Sequence, residues 1–379
     1  MHHFIYPSKD SYIYELNTNS EKNFGGDNNL VLKKEFDTDT LKGVSRVLLN
    51  FDLTELSQSL VSNEITTSLD SNGVPPKYYL RLYEEKTSEL SPTYSLATFP
   101  LSSSWKDGTG YTTQDPNSRN GVSWVRSDES FDNTNWSLVA DANADSGSRS
   151  VTGGGVWITG SGECSQSFSY ASPDVNMDVS DIVNNWLDST ISNNGLILKW
   201  SGSQENSSDT TGNINFYSYD AHSIYSPKLE VRWDNHIASS GSNTGSLTPL
   251  YIDGAETKSV YPYMMRLRDT YRETEIPKFR VGGRDKYQTK SVSTSKSITS
   301  TSFIPEKSGS YSIIDVETGT TLVPFGSNSL LSCDSTSNYF KLKLKTFIVN
   351  RLYRIKLRIQ LTDGRYKIFD NDFNFKVVK

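Results

Sequence analysis

Apolar and polar residues alternate with a period of two at several places along the chain, the spacing that sends successive side chains to opposite faces of a β-strand. The clearest case in the first half is Arg46–Leu53. There Val47, Leu49, Phe51 and Leu53 are expected to face a core, and Arg46, Leu48, Asn50 and Asp52 the other side. Asn23–Asn29 reads as a Gly/Asn turn before a short strand at Leu30–Leu32, and Pro75-Pro76 introduces a strand at Lys77–Tyr83. Further strands are predicted at Leu196–Trp200, Ile214–Tyr219 and Ser226–Trp233. One helix is expected over Asp178–Leu187, where Ile182, Val183, Trp186 and Leu187 recur at three- and four-residue spacing behind a capping Asp178 or Ser180. Trp105–Gly162 is polar and turn-rich, read as a surface excursion holding short strands such as Val156–Ile158.

The second half alternates more regularly. Phe340, Leu342 and Leu344 alternate with Lys341, Lys343 and Lys345, and Tyr353, Ile355, Leu357, Ile359 and Leu361 with Arg354, Lys356, Arg358 and Gln360. Asp363-Gly364 marks a hairpin turn, Tyr366–Phe369 its returning strand, and Phe373, Phe375 and Val377 a final core-facing row. With strands near Phe279–Val281 and Tyr311–Val316, seven or eight strands suit an Ig-like sandwich.

Aromatic residues make up 12% of the 379, amid many Ser, Thr, Asn and Gly, a mixture typical of all-β proteins. The expected fold is therefore all-β: two β-sandwich domains in series, an N-terminal jelly-roll over 1–234 and an Ig-like domain over 250–379. A flexible linker over 235–249 joins them, carried by the Ser/Gly/Asn/Thr run Ile237–Ser246. Charge divides at the same place. Residues 1–234 hold 16 Lys/Arg against 31 Asp/Glu, a net of -15, and the remainder 22 against 13, a net of +9. The total of -6 hides an acidic body and a basic tail domain.

Several function classes find no material. No run of about 18 apolar residues is present, so no membrane span is expected, and the first residues lack the pattern of a secretory signal. Cys164 and Cys333 lie on opposite sides of the charge boundary and read as two reduced thiols. Four histidines, two of them at the terminus, leave little for His-based catalysis, and no GxSxG motif occurs. Adjacent acids such as Glu84-Glu85 and Asp128-Glu129 point to opposite faces of a strand and nominate no carboxylate pair. Gly153-Gly154-Gly155 lacks the Lys-Ser/Thr of a phosphate loop and reads as a turn. Asp27-Asn28-Asn29 and Asp141–Asp145 offer oxygen ligands of the kind calcium prefers, against the simpler reading of solvated loops. No catalytic residue, metal or cofactor is assigned.

Two groups of residues remain as candidate contacts. Trp105, Trp124, Trp136 and Trp157 crowd the excursion and can serve as a glycan-stacking surface; the preferred alternative is that they pin the excursion onto the sandwich. The rows Lys341/Lys343/Lys345 and Arg354/Lys356/Arg358 form a positive patch if their strands are neighbours, suited to docking on an acidic partner protein. Arg268, Arg272, Arg280 and Arg284 add a second docking segment. Nucleic acid is not expected, because no aromatic residues interleave with the basic rows in sequence.

Several segments carry a resemblance. Asp10–Ile13, Arg46–Leu53, Asp178–Ser180 with Trp186, Asn194–Leu196 and Ser226–Val231 resemble, in order and spacing, the DNRLRE-type domain, a jelly-roll related to carbohydrate-binding modules, across about residues 8–234. Leu267–Arg272, Pro277–Val281, Arg284–Tyr287 and Tyr366–Lys379 resemble a domain in virion structural proteins of tailed, especially marine, bacteriophages. These resemblances imply a non-enzymatic structural protein of the virion, a tail, baseplate or neck adaptor or a capsid decoration, present in many copies in a symmetric assembly. Its C-terminal domain would dock to other virion proteins and its N-terminal domain would be exposed. The alternative they imply is a carbohydrate-binding module contacting host-surface glycans.

Overall fold

A computed structural model describes residues 2–15, 19–62, 65, 75–128, 134–136, 142–145, 153–170, 172–221, 223, 225–233, 248–249, 260–285, 302–305, 307–326, 329–333, 336–342, 344–361 and 363–379. The chain is all-β, as its alternation predicts, and its contacts form two compact units. One is Ile5–Ser59 with Lys77–Glu230; the other is Val231–Lys379, to which Met1–Phe4 and Leu60–Pro76 are assigned, two segments that the sequence reading places in 1–234. Most of the expected linker 235–249 lies outside the described residues, but Thr248–Pro249 is already a strand, paired in parallel with Ser302–Phe303.

The first unit is built on an antiparallel eight-stranded sheet. Its order is Cys164–Ser169, Thr93–Pro100, Leu196–Trp200, Thr40–Phe51, Asn29–Asp37, Asn213–Tyr217 and Glu84–Ser88, with Pro7–Tyr14 also paired to Thr40–Phe51. Lys77–Leu82 also pairs antiparallel with Val175–Asp178 in this unit.

In the Thr40–Phe51 strand, Val47, Leu49 and Phe51 are buried as expected, but so are Arg46 and Leu48. The reason is the excursion. Leu101, Trp105, Val122, Trp124, Trp136, Val156 and Trp157 pack with Ile13, Val44, Leu48 and Ile197, so this part of the sheet is covered on both faces. Period two identifies a strand, and burial on the second face is decided by chain more than fifty residues away.

The expected helix is Ser180–Leu187, with Ile182, Val183 and Trp186 buried. Asp178 accepts hydrogen bonds from the Ser180 N–H and hydroxyl. A second helix, Thr54–Val61, was not expected. Its start is held by Asp52, whose Oδ1 accepts from the Thr54 N–H at 2.9 Å and hydroxyl at 2.6 Å. Gly153–Gly155 is part of the strand Gly153–Ile158, not a turn.

The second unit is a sandwich of two sheets. One runs Thr270–Arg272, Tyr366–Val378, Leu352–Gln360, Gly309–Asp315, Thr321–Val323. The other runs Thr248–Pro249, Ser302–Phe303, Lys278–Asp285, Asn338–Lys341, Ser332–Cys333, with Val260–Met265 beside Lys278–Asp285. Rings from both sheets meet between them: Tyr311 stacks on Phe340 with centroids 3.9 Å apart, and Phe279 lies 5.2 Å from Phe340 and 5.1 Å from Phe375. The two expected strands after the Asp363-Gly364 turn are one, Tyr366–Val378. The expected Tyr339–Lys345 strand ends at Lys341 and gives way to a 3₁₀ turn at Leu344–Thr346.

Candidate functional site

The four excursion tryptophans are inside the protein. Trp105, Trp124, Trp136 and Trp157 are 4, 1, 8 and 6% exposed, so they offer no open face to a sugar and instead anchor the excursion. Trp105 and Trp136 also place their indole N–H groups on backbone oxygens, of Asn194 at 3.0 Å and of Trp124 at 3.1 Å.

Beneath them lies a buried ion cluster. Arg46, on the Thr40–Phe51 strand, donates from Nε and Nη2 to both Glu205 oxygens at 2.8 and 3.0 Å, and from Nη1 to the Gly154 carbonyl at 2.6 Å. Lys199 Nζ reaches Glu205 Oε2 at 2.6 Å. The Arg46 guanidinium lies 4.8 Å from the Trp124 ring and 5.0 Å from the Trp157 ring. Burial alone would raise the Glu205 pKa, but the Arg46 and Lys199 charges outweigh it and hold the carboxyl below its ordinary range. Gly154, at φ +90°, brings its backbone so close that a Cβ there would sit 2.4 Å from Arg46 Nη1. Charged residues inside apolar strands, Arg46 in Val-Ser-Arg-Val-Leu and Lys199 in Leu-Ile-Leu-Lys-Trp, are the sequence trace of this cluster. Their common partner, Glu205, has no such trace.

The basic rows do not form one patch. Lys341 is on the Asn338–Lys341 strand and Lys345 in the 3₁₀ turn, whereas Arg354, Lys356 and Arg358 belong to Leu352–Gln360 in the opposing sheet. Lys343 lies outside the described residues. The second row does point outward, but acids of the adjacent strand meet it: Arg354 lies 3.1 Å from Asp372, and Lys356 2.9 Å from Asp370. Arg358 rests between the rings of Tyr366 (4.6 Å) and Phe325 (5.0 Å). Of the other segment, Arg268 pairs with Glu275, Arg272 is exposed, Arg280 donates to Ser337 Oγ at 3.2 Å, and Arg284 lies 5.1 Å from the Tyr261 ring. Aromatic rings therefore do accompany several of these arginines, supplied by neighbouring strands and not by the same one.

An acidic cleft of about 270 Å³ in the first unit is lined in part by Asn28, Asp107, Thr109, Tyr111 and Asp220. Asn23, fully buried, knots its floor. Its Nδ2 donates to the carbonyls of Asp107 (2.6 Å) and Val122 (2.9 Å), and its Oδ1 accepts from the Gly110 N–H at 2.8 Å. Asp27 is consumed by the same scaffold, accepting from the Thr112 N–H at 2.9 Å and the Tyr12 hydroxyl at 3.0 Å, so its carboxylate is committed to neighbours and not presented to an ion. The side chains of Asp141–Asp145 lie outside the described residues. Among the described residues no group of three or more His, Cys, Asp or Glu is placed to hold a metal ion. Neither Cys164 nor Cys333 is in a disulfide.

Behind the cleft, Asp10 is 4% exposed and accepts from the Tyr219 N–H at 2.8 Å. Burial pushes the Asp10 carboxyl up to about 7. Burial and then the Asp10 and Asp220 charges push Asp107 up to about 7 as well. A folded-state pKa raised above the unfolded one means that the native state holds a proton the unfolded state has lost. Stability is fully present below the unfolded value and declines as pH rises toward 7. Asp10→Asn keeps the acceptor for Tyr219 and removes that titration. Relative to the wild type it should gain on the order of 2–4 kcal/mol between pH 4 and pH 8, read by urea denaturation. A difference that does not change with pH would refute the assignment.

No protein-family model matches this chain, and no curated protein matches it either.

Proposed function

We propose that this chain is a non-enzymatic structural protein of a tailed-phage virion, an adaptor or decoration whose basic C-terminal unit docks to an acidic surface of another virion subunit while its acidic N-terminal unit is exposed. The observation that carries the docking reading is the outer face of the Leu352–Gln360 and Tyr366–Val378 pair. Tyr366 and Ile368 are 54 and 55% exposed there, and Arg358 lies against Tyr366. An aromatic, an aliphatic and an arginine on rigid neighbouring strands have the composition of an interface hot spot. The net charge of +9 after Asp234 favours an acidic partner, and the resemblance of the C-terminal segments to virion proteins supplies the setting. Arg354 and Lys356, tied by Asp370 and Asp372, contribute less than their charges suggest.

An antibody against the chain should find it co-sedimenting with DNA-containing particles in a density gradient. A particle carrying Arg358→Glu with Ile368→Asp should lose most of the protein to the soluble fraction. Absence from wild-type particles would overturn the virion reading, and undiminished incorporation of the double variant the docking face.

A further inference from the structure

We infer that the outer face of the Lys278–Asp285 sheet in the second unit binds single-stranded nucleic acid, holding its phosphates on cations and stacking its bases on Tyr261 and Tyr263. The docking face proposed above is on the opposing sheet, so this inference does not need the virion reading.

Register fixes the composition of this face. Phe279, Val281 and Phe340 are buried in the core, and Met264 packs against it. The two-residue period therefore turns Lys278, Arg280, Gly282 and Arg284 outward on the central strand. Tyr339 and Lys341 flank them on one side, and Tyr261, Tyr263 and Met265 on the other. Across the ladders Tyr261 is opposite Arg284, Tyr263 opposite Gly282, and Lys341 opposite Lys278. Four of these described outward residues are cations and none is acidic, whereas the outer face of the opposing sheet carries Asp370 and Asp372 among its cations. The chain after Asp234, with 22 Lys/Arg against 13 Asp/Glu, is positive by 9 and draws a polyanion to this unit.

Charge alone would suit any polyanion; the rings select among them. Tyr261 is 37% exposed, and Arg284 lies 5.1 Å from its ring centre. Tyr263, half-buried, lies over Gly282 so closely that a Cβ there would be 2.5 Å from its Cζ. Only glycine lets that ring come down onto the sheet, which supports one of its faces from below. The two rings are two residues apart on one strand, about 7 Å, so each has room for its own base. Stacking on them is tolerant of sequence, because every base has a π-face. Tyr339 has a different part. It is 5% exposed, with Lys278 at 3.6 Å and Arg280 at 6.0 Å from its ring centre, and so it seats those two cations on the face. An acidic peptide would use the cations but not the two open rings. The absence of rings among the basic rows holds along each strand and fails across three neighbouring ones, which removes the ground for not expecting nucleic acid.

The test is fluorescence anisotropy of the full chain with fluorescein-labelled oligothymidylate and oligouridylate, a labelled DNA duplex of the same length beside them, and polyglutamate as competitor. At least one single strand should bind, with an affinity that falls as NaCl rises from about 50 to about 200 mM; which strand binds tells DNA from RNA. The duplex, whose bases are already stacked on one another, should bind more weakly. Tyr261→Ala and Tyr263→Ala should each weaken binding about ten-fold and leave the salt dependence unchanged. Arg284→Gln should make the slope of log affinity against log salt shallower by about 0.7. Melting curves should match the wild type; should Tyr263→Ala fail to fold, the more exposed Tyr261→Ala carries the comparison. No binding of either single strand overturns the proposal, as does binding that Tyr261→Ala and Arg284→Gln both leave intact. A duplex bound as tightly as the single strand overturns it in favour of a general phosphate surface, and polyglutamate competing as well as unlabelled single strand in favour of an acidic protein partner.

Discussion

Glu205→Gln should lower the stability of the first unit by about 3–5 kcal/mol, the largest loss expected from any near-isosteric change in the protein. The amide preserves shape and volume, so the effect isolates charge. With glutamine in place, Arg46 and Lys199, 0 and 7% exposed, would lose the carboxylate that they share. The two tryptophan faces against Arg46 offer about 1–2 kcal/mol each when desolvated, short of what a buried ion requires. Equilibrium unfolding in urea at pH 7, followed by tryptophan fluorescence, reads the loss directly. Trp124 and Trp157 flank Arg46, so the native spectrum should also change.

Replacing all three partners by apolar residues, Arg46→Met with Lys199→Met and Glu205→Leu, should restore much of that stability, because buried ion clusters contribute little net free energy while intact. The wild type should also weaken in acid. Glu205 is held below its ordinary pKa, so its contribution is present above the unfolded carboxyl value and disappears as pH falls through the folded one. A loss below about 1 kcal/mol in Glu205→Gln would mean that water reaches the cluster and that the excursion is not sealed over it.

Phe375→Ala should cost the second unit about 3–5 kcal/mol. The side chain is fully buried and meets four rings: Phe279 at 5.1 Å, Tyr353 at 5.7 Å, Tyr271 edge-on at 5.8 Å and Phe347 at 6.4 Å. Phe279 belongs to the opposing sheet, so the ring bridges the two layers as well as filling space. Neighbouring aromatic rings are rigid and cannot easily collapse into the void that alanine leaves. Phe375→Leu should lose less than half as much, since it retains most of the volume. Thermal or denaturant unfolding measures both. If the alanine variant loses under about 1 kcal/mol, the sheets are not held together through this ring.

The second unit was most legible in the sequence where a strand buries one face only, which Gly309–Asp315, buried on both, does not. Along Leu352–Gln360 the rows of Tyr353, Ile355, Leu357 and Ile359 against Arg354, Lys356 and Arg358 appear in the structure as written. The partners of the basic row were not legible. Asp370 and Asp372 reach it through the pairing of Arg354 with Asn374 and Leu357 with Phe369 across a shift in register, a shift that alternation cannot report. The candidate cleft was invisible for a similar reason. Asn23 meets Val122 and Asp27 meets Thr112 across 99 and 85 residues, and no local pattern announces either contact.

By itself, the sequence determined the class of the fold, most of its strands, one helix and the division of charge along the chain. Those properties follow from the two-residue period of an extended backbone and from composition, which each segment carries alone. Only the tertiary structure decided that Arg46 is buried and not solvated, that four tryptophans face inward, that the two basic rows belong to opposing sheets, and that Tyr111 and Asp220 share one cleft. Each of these depends on which distant segment covers a face or meets a loop. An excursion folded over the sheet turned a strand with one apolar face into one buried on both, and that is a property of the assembled chain.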